Sequence, residues 1–187
     1  MARLNISVTN EIAKKIQDVA DKDGKTVSSV IAESFDLYSR LMDLGFNKGQ
    51  VMSLIKYCQI NKVINAVPIP GTILDQSINV ALKTSEESLL KITCEGGRVL
   101  GELLKSVSPE IDSLISDLRE LSPFIPVSKI DLKKEEGKIE FIVMGSGYSL
   151  GAAKVTAAGA RCFLEVFGVK DMVETISDGF VKITGTI

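Results

Sequence analysis

The N-terminal stretch RLNISV is the feature that most limits what this chain can fold into, because it has the pattern of a β-strand with no neighbour. Polar and apolar side chains alternate from Arg3 to Val8, which is typical of a strand with one buried face. The residues that follow, as far as about residue 121, carry helical periodicity instead. A lone strand leaves its backbone donors and acceptors unpaired. We therefore predict that it pairs with the same strand of a second copy.

Two short helices are predicted directly after this strand. Thr9 is a plausible N-cap, and apolar residues then recur at helical spacing until Gly24 supplies a stop. Thr26 caps a second helix, which Gly45 ends. Residues 1–45 therefore form one predicted domain of order β-α-α, an intertwined dimer. At this length neither copy is expected to fold alone.

The rest of the chain, residues 46–187, is predicted to form an α+β domain. Residues 46–70 are assigned to a connecting helix that must stop near VPIPG, because Pro68 and Pro70 cannot continue it. Helices are expected over 72–83, 85–107 and 108–121. Two hairpins that flank a helix then give the order ββαββ, with Asp178-Gly179 favouring a type I′ turn. This order predicts an antiparallel sheet with helices on one face.

Two groups of small residues can each be interpreted in more than one structural way. Gly96 and Gly97 lie inside a helical pattern, where glycine is costly, so either the helix breaks there or another element packs against its backbone. The later helix carries Gly151, Gly159 and several alanines at three- and four-residue spacing. That pattern fits tight contact with the sheet, a second dimer contact or the wall of a ligand cavity.

Composition excludes several classes of function. The chain has 187 residues, a net charge of −2 and no histidine, which removes His-based catalysis and most zinc sites. No nucleophile–base or metal constellation is recognisable, so we expect no enzyme activity, no metal and no cofactor. No run of 18 apolar residues suggests a membrane span. A cytoplasmic location is expected.

The three cysteines are predicted to be free thiols. Cys58, Cys94 and Cys162 are far apart, form no CxxC pair and cannot all pair within one chain. Free thiols fit a reducing cytosol. Cys162, beside Arg161, is predicted to be a buried, inert thiol rather than a redox sensor.

The polar face of the N-terminal strand carries residues that can read DNA bases. A two-stranded ribbon fits the major groove, where Arg3 can pair with guanine and Asn5 with adenine, while Ser7 can serve either. Residues 1–45 hold six basic and seven acidic residues. That balance predicts few phosphate contacts and a shallow dependence of affinity on salt.

This N-terminal stretch resembles the ribbon-helix-helix family of DNA-binding domains, the Arc, MetJ and CopG type, over residues 2–44. The resemblance rests on the alternating strand with a leading arginine, the two capped helices and the glycine-containing turn. It implies that Arg3, Asn5 and Ser7 read bases. It also implies that the N-terminus of the second helix, Thr26, Val27 and Ser28, binds phosphate, as free amides there favour an anion. Lys25 adjoins that terminus.

A second, low-specificity candidate site is the loop MGSGYSLG at residues 144–151. Gly145, Gly147, Tyr148 and Gly151 could form a ligand loop, but the spacing departs from the dinucleotide fingerprint. A strand-to-helix turn is the simpler interpretation. The order of elements in this region is faintly similar to vinyl-reductase-type small-molecule-binding domains, although the cysteines of that family's last hairpin are missing.

These observations together predict a homodimeric transcriptional regulator that binds specific DNA sequences. A repressor is the favoured kind of regulator. Double-stranded DNA, a second copy and a small-molecule effector are the expected partners. The C-terminal domain would sense the effector or drive further assembly. Two alternatives use the same N-terminal dimer, namely a DNA-organising or partition protein and an antitoxin.

Overall fold

The computed structural model describes residues 5–145 and 148–187. The chain divides into two compact units, Met1–Val51 and Met52–Ile187, so the division falls inside the third helix and later than the predicted boundary at residue 45. The elements in chain order are α1 (Asn10–Asp23), α2 (Val27–Asp43), α3 (Lys48–Val63), α4 (Gly71–Val107), α5 (Ile111–Leu121), β1 (Lys129–Glu135), β2 (Lys138–Met144), α6 (Leu150–Val166), β3 (Lys170–Ser177) and β4 (Phe180–Thr186).

The helices of the first unit begin and end where the capping residues place them. The Thr9 side chain accepts a hydrogen bond from the Ile12 amide, and Thr26 accepts one from the Ser29 amide. Gly24 follows α1 in the left-handed conformation, with φ 64°, which glycine adopts without steric cost. Asn47 and Gln50 form a reciprocal capping box before α3. The predicted caps are therefore confirmed.

The prediction of an N-terminal strand is wrong, and with it the ribbon-helix-helix assignment and the β-α-α part of the predicted fold class. Residues 5–9 lie outside any strand, and the described chain begins with the helices α1, α2 and α3. The strands of the described residues all lie between Lys129 and Thr186. An alternating pattern specifies which faces a strand would bury, but a strand also needs a hydrogen-bonding neighbour. Among residues 5–145 and 148–187, no strand lies beside residues 5–9.

The second unit is built on a four-stranded antiparallel sheet of order β1-β2-β4-β3. Both hairpins close with two-residue turns, Glu136-Gly137 and Asp178-Gly179. Glu136 and Gly137 both have positive φ, as a type I′ turn requires. In the second turn only Gly179 does, so the type I′ prediction there is wrong.

One face of this sheet is covered by helices. Leu132, Phe141 and Ile183 point into the core, where α5 and α6 pack against them. The opposite face carries charged residues, including the ion pair between Lys182 and Glu140 at 2.5 Å. This alternation of apolar and polar residues is what an antiparallel sheet with one solvated face requires.

The glycine pair of α4 marks a close helix contact and not a break. α4 runs through Gly96 and Gly97, and its one residue with non-helical dihedrals is Ser85, where the helix kinks. A Cβ atom added at Gly97 would overlap the carbonyl oxygen of Gly159 on α6. The α6 backbone can approach α4 this closely because position 97 carries no side chain.

The prediction of three free thiols is wrong. Cys94 on α4 and Cys162 on α6 form a disulfide with a Cα–Cα distance of 5.2 Å, inside the range that such a bond spans. Cys58 is free and exposed. The sequence did not reveal this pair, because the two cysteines are 68 positions apart and the hairpin that brings α6 back onto α4 lies between them.

Across the described ranges, no helix is both long enough and apolar enough to cross a membrane.

Candidate functional site

The second unit contains an apolar cavity of about 570 Å³ that is partly open to solvent. This volume lies in the range of natural small-molecule pockets. Its lining comes from α3, α4, α5, the segment before β1, two strands and α6, all within the second unit. The lining residues are Tyr57, Ile60, Asn61, Ile64, Thr93, Gly96, Gly97, Leu100, Leu104, Leu118, Leu121, Ile125, Pro126, Ile130, Phe141, Thr156, Gly159, Ala160 and Phe163.

The cavity contains no charged side chain and few polar ones. The Thr93 hydroxyl donates to the Leu89 carbonyl oxygen of its own helix at 2.9 Å. Thr156 accepts a hydrogen bond from the Tyr148 hydroxyl. A charged molecule in this cavity would lose its hydration without gaining an ionic partner, which costs several kcal/mol or more, as an order-of-magnitude estimate. The lining therefore selects uncharged molecules.

Polar contacts outside the cavity hold its walls in place. Lys56 of α3 pairs with Asp117 of α5, and Asp117 also accepts a hydrogen bond from Ser108. The Tyr57 ring lies 6.0 Å from the Phe124 ring, measured between centroids. These contacts fix α3 against α5 without placing a charge inside the cavity.

The described residues of the loop at 144–151 lie between β2 and α6, and the amide of Ser149 at the N-terminus of α6 already has a carboxylate partner. Gly145 donates to the Gly179 carbonyl at 3.1 Å, and Ser149 caps α6. The Asp75 carboxylate of α4 accepts from the Ser149 amide at 3.2 Å and from the Ser149 hydroxyl at 2.5 Å. Gly151 packs against Asn79, and Gly147 lies outside the described residues. A ligand role for this loop stays a prediction.

Among the candidate loop residues that the structure describes, Tyr148 is connected to the cavity through its hydrogen bond to Thr156. Burial raises the pKa of Tyr148 to about 12, because the phenolate would lose its hydration. Neutral Tyr148 is thus favoured in the folded state. The neutral Tyr148 side chain contributes to the free energy of unfolding in full below the pKa of about 10 that tyrosine has in the unfolded chain. This contribution is lost as the pH rises through the pKa of Tyr148 in the folded state.

We expect one tyrosine of the native protein to ionise near pH 12, two pH units above the usual value. The measurement is an absorbance titration at the tyrosinate band, with folding followed by circular dichroism. Tyr148→Phe should remove that late step. A late step that persists in Tyr148→Phe would contradict the assignment.

The candidate DNA-contact residues of the first unit lie on two segments. Asn5 and Ser7 are exposed on the stretch before α1, and Arg3 lies outside the described residues. Lys25 donates to Glu33 at 2.7 Å. That hydrogen bond raises the pKa of Lys25 and lowers the pKa of Glu33. A phosphate would therefore compete with Glu33 for Lys25.

The N-terminus of α2 is otherwise open. The Thr26 hydroxyl oxygen accepts a hydrogen bond from the Ser29 amide at 3.1 Å, while Val27 and Ser28 occupy the first turn of the helix. Amides in a first turn have no intrahelical acceptor. The base-reading and phosphate-binding roles of these residues stay predictions.

Residues 5–51 of the first unit expose a large apolar surface. Among residues 5–51 only Ala20 is buried, and α2 buries none of its residues. A groove of about 270 Å³ is lined by Ile6, Val8, Ile16, Val30, Ile31, Ser34 and Phe35. We name these seven residues the first-unit groove. A unit of this size with one buried residue has too small a core to be stable by itself.

A further depression, of about 880 Å³, is a surface groove over the ends of β1, β2 and β4. It carries both signs of charge, with Lys133 and Lys138 beside Glu135, Glu140 and Asp171. Such mixed, solvated charges are typical of an exposed sheet edge. In the described part of the chain, no group of three or more potential metal ligands lies together.

No protein-family model, curated protein or solved structure matches this chain. The faint similarity to vinyl-reductase-type domains therefore receives no support. The apolar cavity was not located from the sequence, since its lining comes from seven separate segments. The signals that pointed toward it were the glycine pair of α4 and the small residues of α6.

Proposed function

We propose that the protein is a DNA-binding regulator whose second unit binds a neutral, mainly hydrocarbon small molecule. The single observation that carries the proposal is the uncharged cavity of about 570 Å³. Its second unit would serve as the sensor, and the first unit, as a homodimer, would contact double-stranded DNA. Binding of the small molecule and of DNA would then be reciprocally linked.

The chemical class of the ligand follows from the lining of the cavity. Aliphatic and aromatic side chains form most of it, and the glycines and Ala160 leave a flat surface between α4 and α6. Asn61, Thr93 and Thr156 offer hydrogen-bonding groups at separate points. A molecule with an aromatic or alicyclic body and at most one or two hydroxyl or carbonyl groups fits this arrangement.

Support for the DNA part comes from the first unit and from the sequence. Asn5 and Ser7 are exposed and are residue types that pair with base edges. The first-unit groove needs an apolar partner, and a second copy of the same unit would supply one. A dimer would also double the number of DNA-contacting groups.

We expect the neutral fluorophore N-phenyl-1-naphthylamine to bind one site per chain, and its sulfonated analogue 1-anilinonaphthalene-8-sulfonate to bind at least about tenfold more weakly. The two probes share their ring system, so the difference reports the cost of placing a charge in the cavity. Fluorescence titration of the full chain measures both affinities.

Ala160→Phe is the matching variant, because its ring would fill part of the cavity. Ala66→Phe is the control, since Ala66 is exposed and lies outside the cavity. Loss of N-phenyl-1-naphthylamine binding in the first variant only would support the cavity as the site. Equal binding by both variants, or equal affinity for both probes, would contradict it.

For the DNA part, selection from a random duplex pool at moderate salt is expected to yield a short repeated sequence. Asn5→Ala should relax the preference at one base position, a loss of about 1–3 kcal/mol per contact. Asn10→Ala, a change of an exposed asparagine in α1, is the control. Binding without any sequence preference would favour a DNA-organising protein, and no binding at all would remove DNA as a partner.

A further inference from the structure

The disulfide between Cys94 and Cys162 links two helices that both line the apolar cavity, although neither cysteine is itself a lining residue. Cys94 directly follows Thr93 on α4, and Cys162 lies between Ala160 and Phe163 on α6, all of which line the cavity. The same two helices meet at Gly97 and Gly159. The covalent link therefore joins the two helices that form one side of the ligand site.

The surroundings of Cys94 suit a reactive thiol. Its side chain is partly exposed, whereas Cys162 is buried. Arg98 is one turn along α4, and its Nη2 lies 3.9 Å from the Cys94 sulfur. A guanidinium at this distance stabilises the thiolate, which is the nucleophilic form of cysteine. Arg98 also contacts Glu165 at 3.4 Å, and Arg161 pairs with Glu165 and Glu174.

We propose that Cys94 and Cys162 form a reversible redox lock on the ligand cavity. In the oxidised state the link holds α4 against α6 and retains a neutral ligand. In the reduced state the two helices can separate at the glycine contact, so the ligand exchanges faster. This inference rests on the proposed function, because it concerns the same cavity. In a reducing compartment, disulfides are mostly transient and serve redox sensing.

The redox step is balanced with a peroxide as oxidant and a dithiol as reductant. The Cys94 thiolate attacks a peroxide oxygen, which forms a sulfenic acid and, after protonation, releases water. The Cys162 sulfur then attacks the Cys94 sulfur, which forms the S–S bond and releases a second water. The two thiols lose two electrons and the peroxide gains them. A dithiol reverses the step by thiol–disulfide exchange and becomes a disulfide itself.

The test measures dissociation of N-phenyl-1-naphthylamine from the full chain by stopped-flow fluorescence, before and after reduction with dithiothreitol. We expect dissociation at least about tenfold faster from the reduced protein, since changes of affinity at one site appear mainly in the dissociation rate. Re-oxidation with hydrogen peroxide should restore the slow rate. Thiol alkylation and mass spectrometry report the state of each cysteine.

Two variants complete the design. The double variant Cys94→Ser, Cys162→Ser should release the probe fast under all conditions, whereas Cys58→Ser should respond to reduction like the wild type. The wild-type comparison needs no substitution, so it decides the question even where the double variant does not fold. Equal rates from oxidised and reduced protein, with the probe bound in both, would overturn the lock but leave the cavity proposal intact. Absence of probe binding in both states would overturn both.

Discussion

Gly97→Ala is expected to lower the free energy of unfolding by about 3 kcal/mol, at the upper end of what overpacking usually costs. The added methyl group would overlap the Gly159 carbonyl oxygen, which is backbone and cannot rotate away. α4 and α6 would have to move apart while the Cys94–Cys162 disulfide holds them together. Urea unfolding of the oxidised protein, followed by circular dichroism, measures the change.

Gly96→Ala provides a closely matched control for this prediction. Gly96 precedes Gly97 on the same helix, and a Cβ atom there would meet nothing within 4 Å. Replacing a helical glycine with alanine in open space should stabilise the protein by about 0.5–1 kcal/mol. The two substitutions should therefore have opposite signs. Similar unfolding energies for both variants would contradict the close contact between α4 and α6.

Phe35→Asp is expected to convert the proposed homodimer to a monomer. The Phe35 side chain is 61% exposed in the single chain and lines the first-unit groove. Burial of a phenylalanine contributes about 1.5–3 kcal/mol per copy, and two copies lose it together. Dimerisation should therefore weaken by at least about 100-fold. Sedimentation equilibrium of the full chain measures the mass.

Leu37→Asp is the matched control, because Leu37 is 60% exposed on the same helix but does not line the groove. This variant should remain dimeric. Dissociation of both variants would mean that the dimer uses a different or wider surface of α2. A wild type that sediments as a monomer would remove the homodimer from the proposed function.

The N-terminal stretch shows that an alternating sequence pattern does not by itself predict a β-strand. Alternation from Arg3 to Val8 identifies which side chains would share a face, and Ile6 and Val8 do share the first-unit groove. Whether the backbone forms a strand depends on a neighbour that supplies donors and acceptors. Periodicity cannot report on that neighbour, so the strand assignment failed although the apolar residues were correctly singled out.

The cavity and the disulfide could not be predicted for a related reason. Gly96 and Gly97 were recognised as costly in a helix, but a break and a close contact explain such a pair equally well from sequence. Only the position of Gly159 on α6 decides between them. In the same way, Cys94 and Cys162 meet because β1 and β2 return the chain onto α4.

The sequence alone determined the local features of this protein, namely the helices between capping residues such as Thr9 and Thr26, the glycine stop at Gly24 and the two hairpins. Each depends on hydrogen bonds and dihedral preferences within a few residues, which neighbouring side chains encode directly. The tertiary structure alone decided that Cys94 pairs with Cys162 and that segments from α3 to α6 line an uncharged cavity. These features depend on distances between residues far apart in the chain, which are fixed only when the whole core packs.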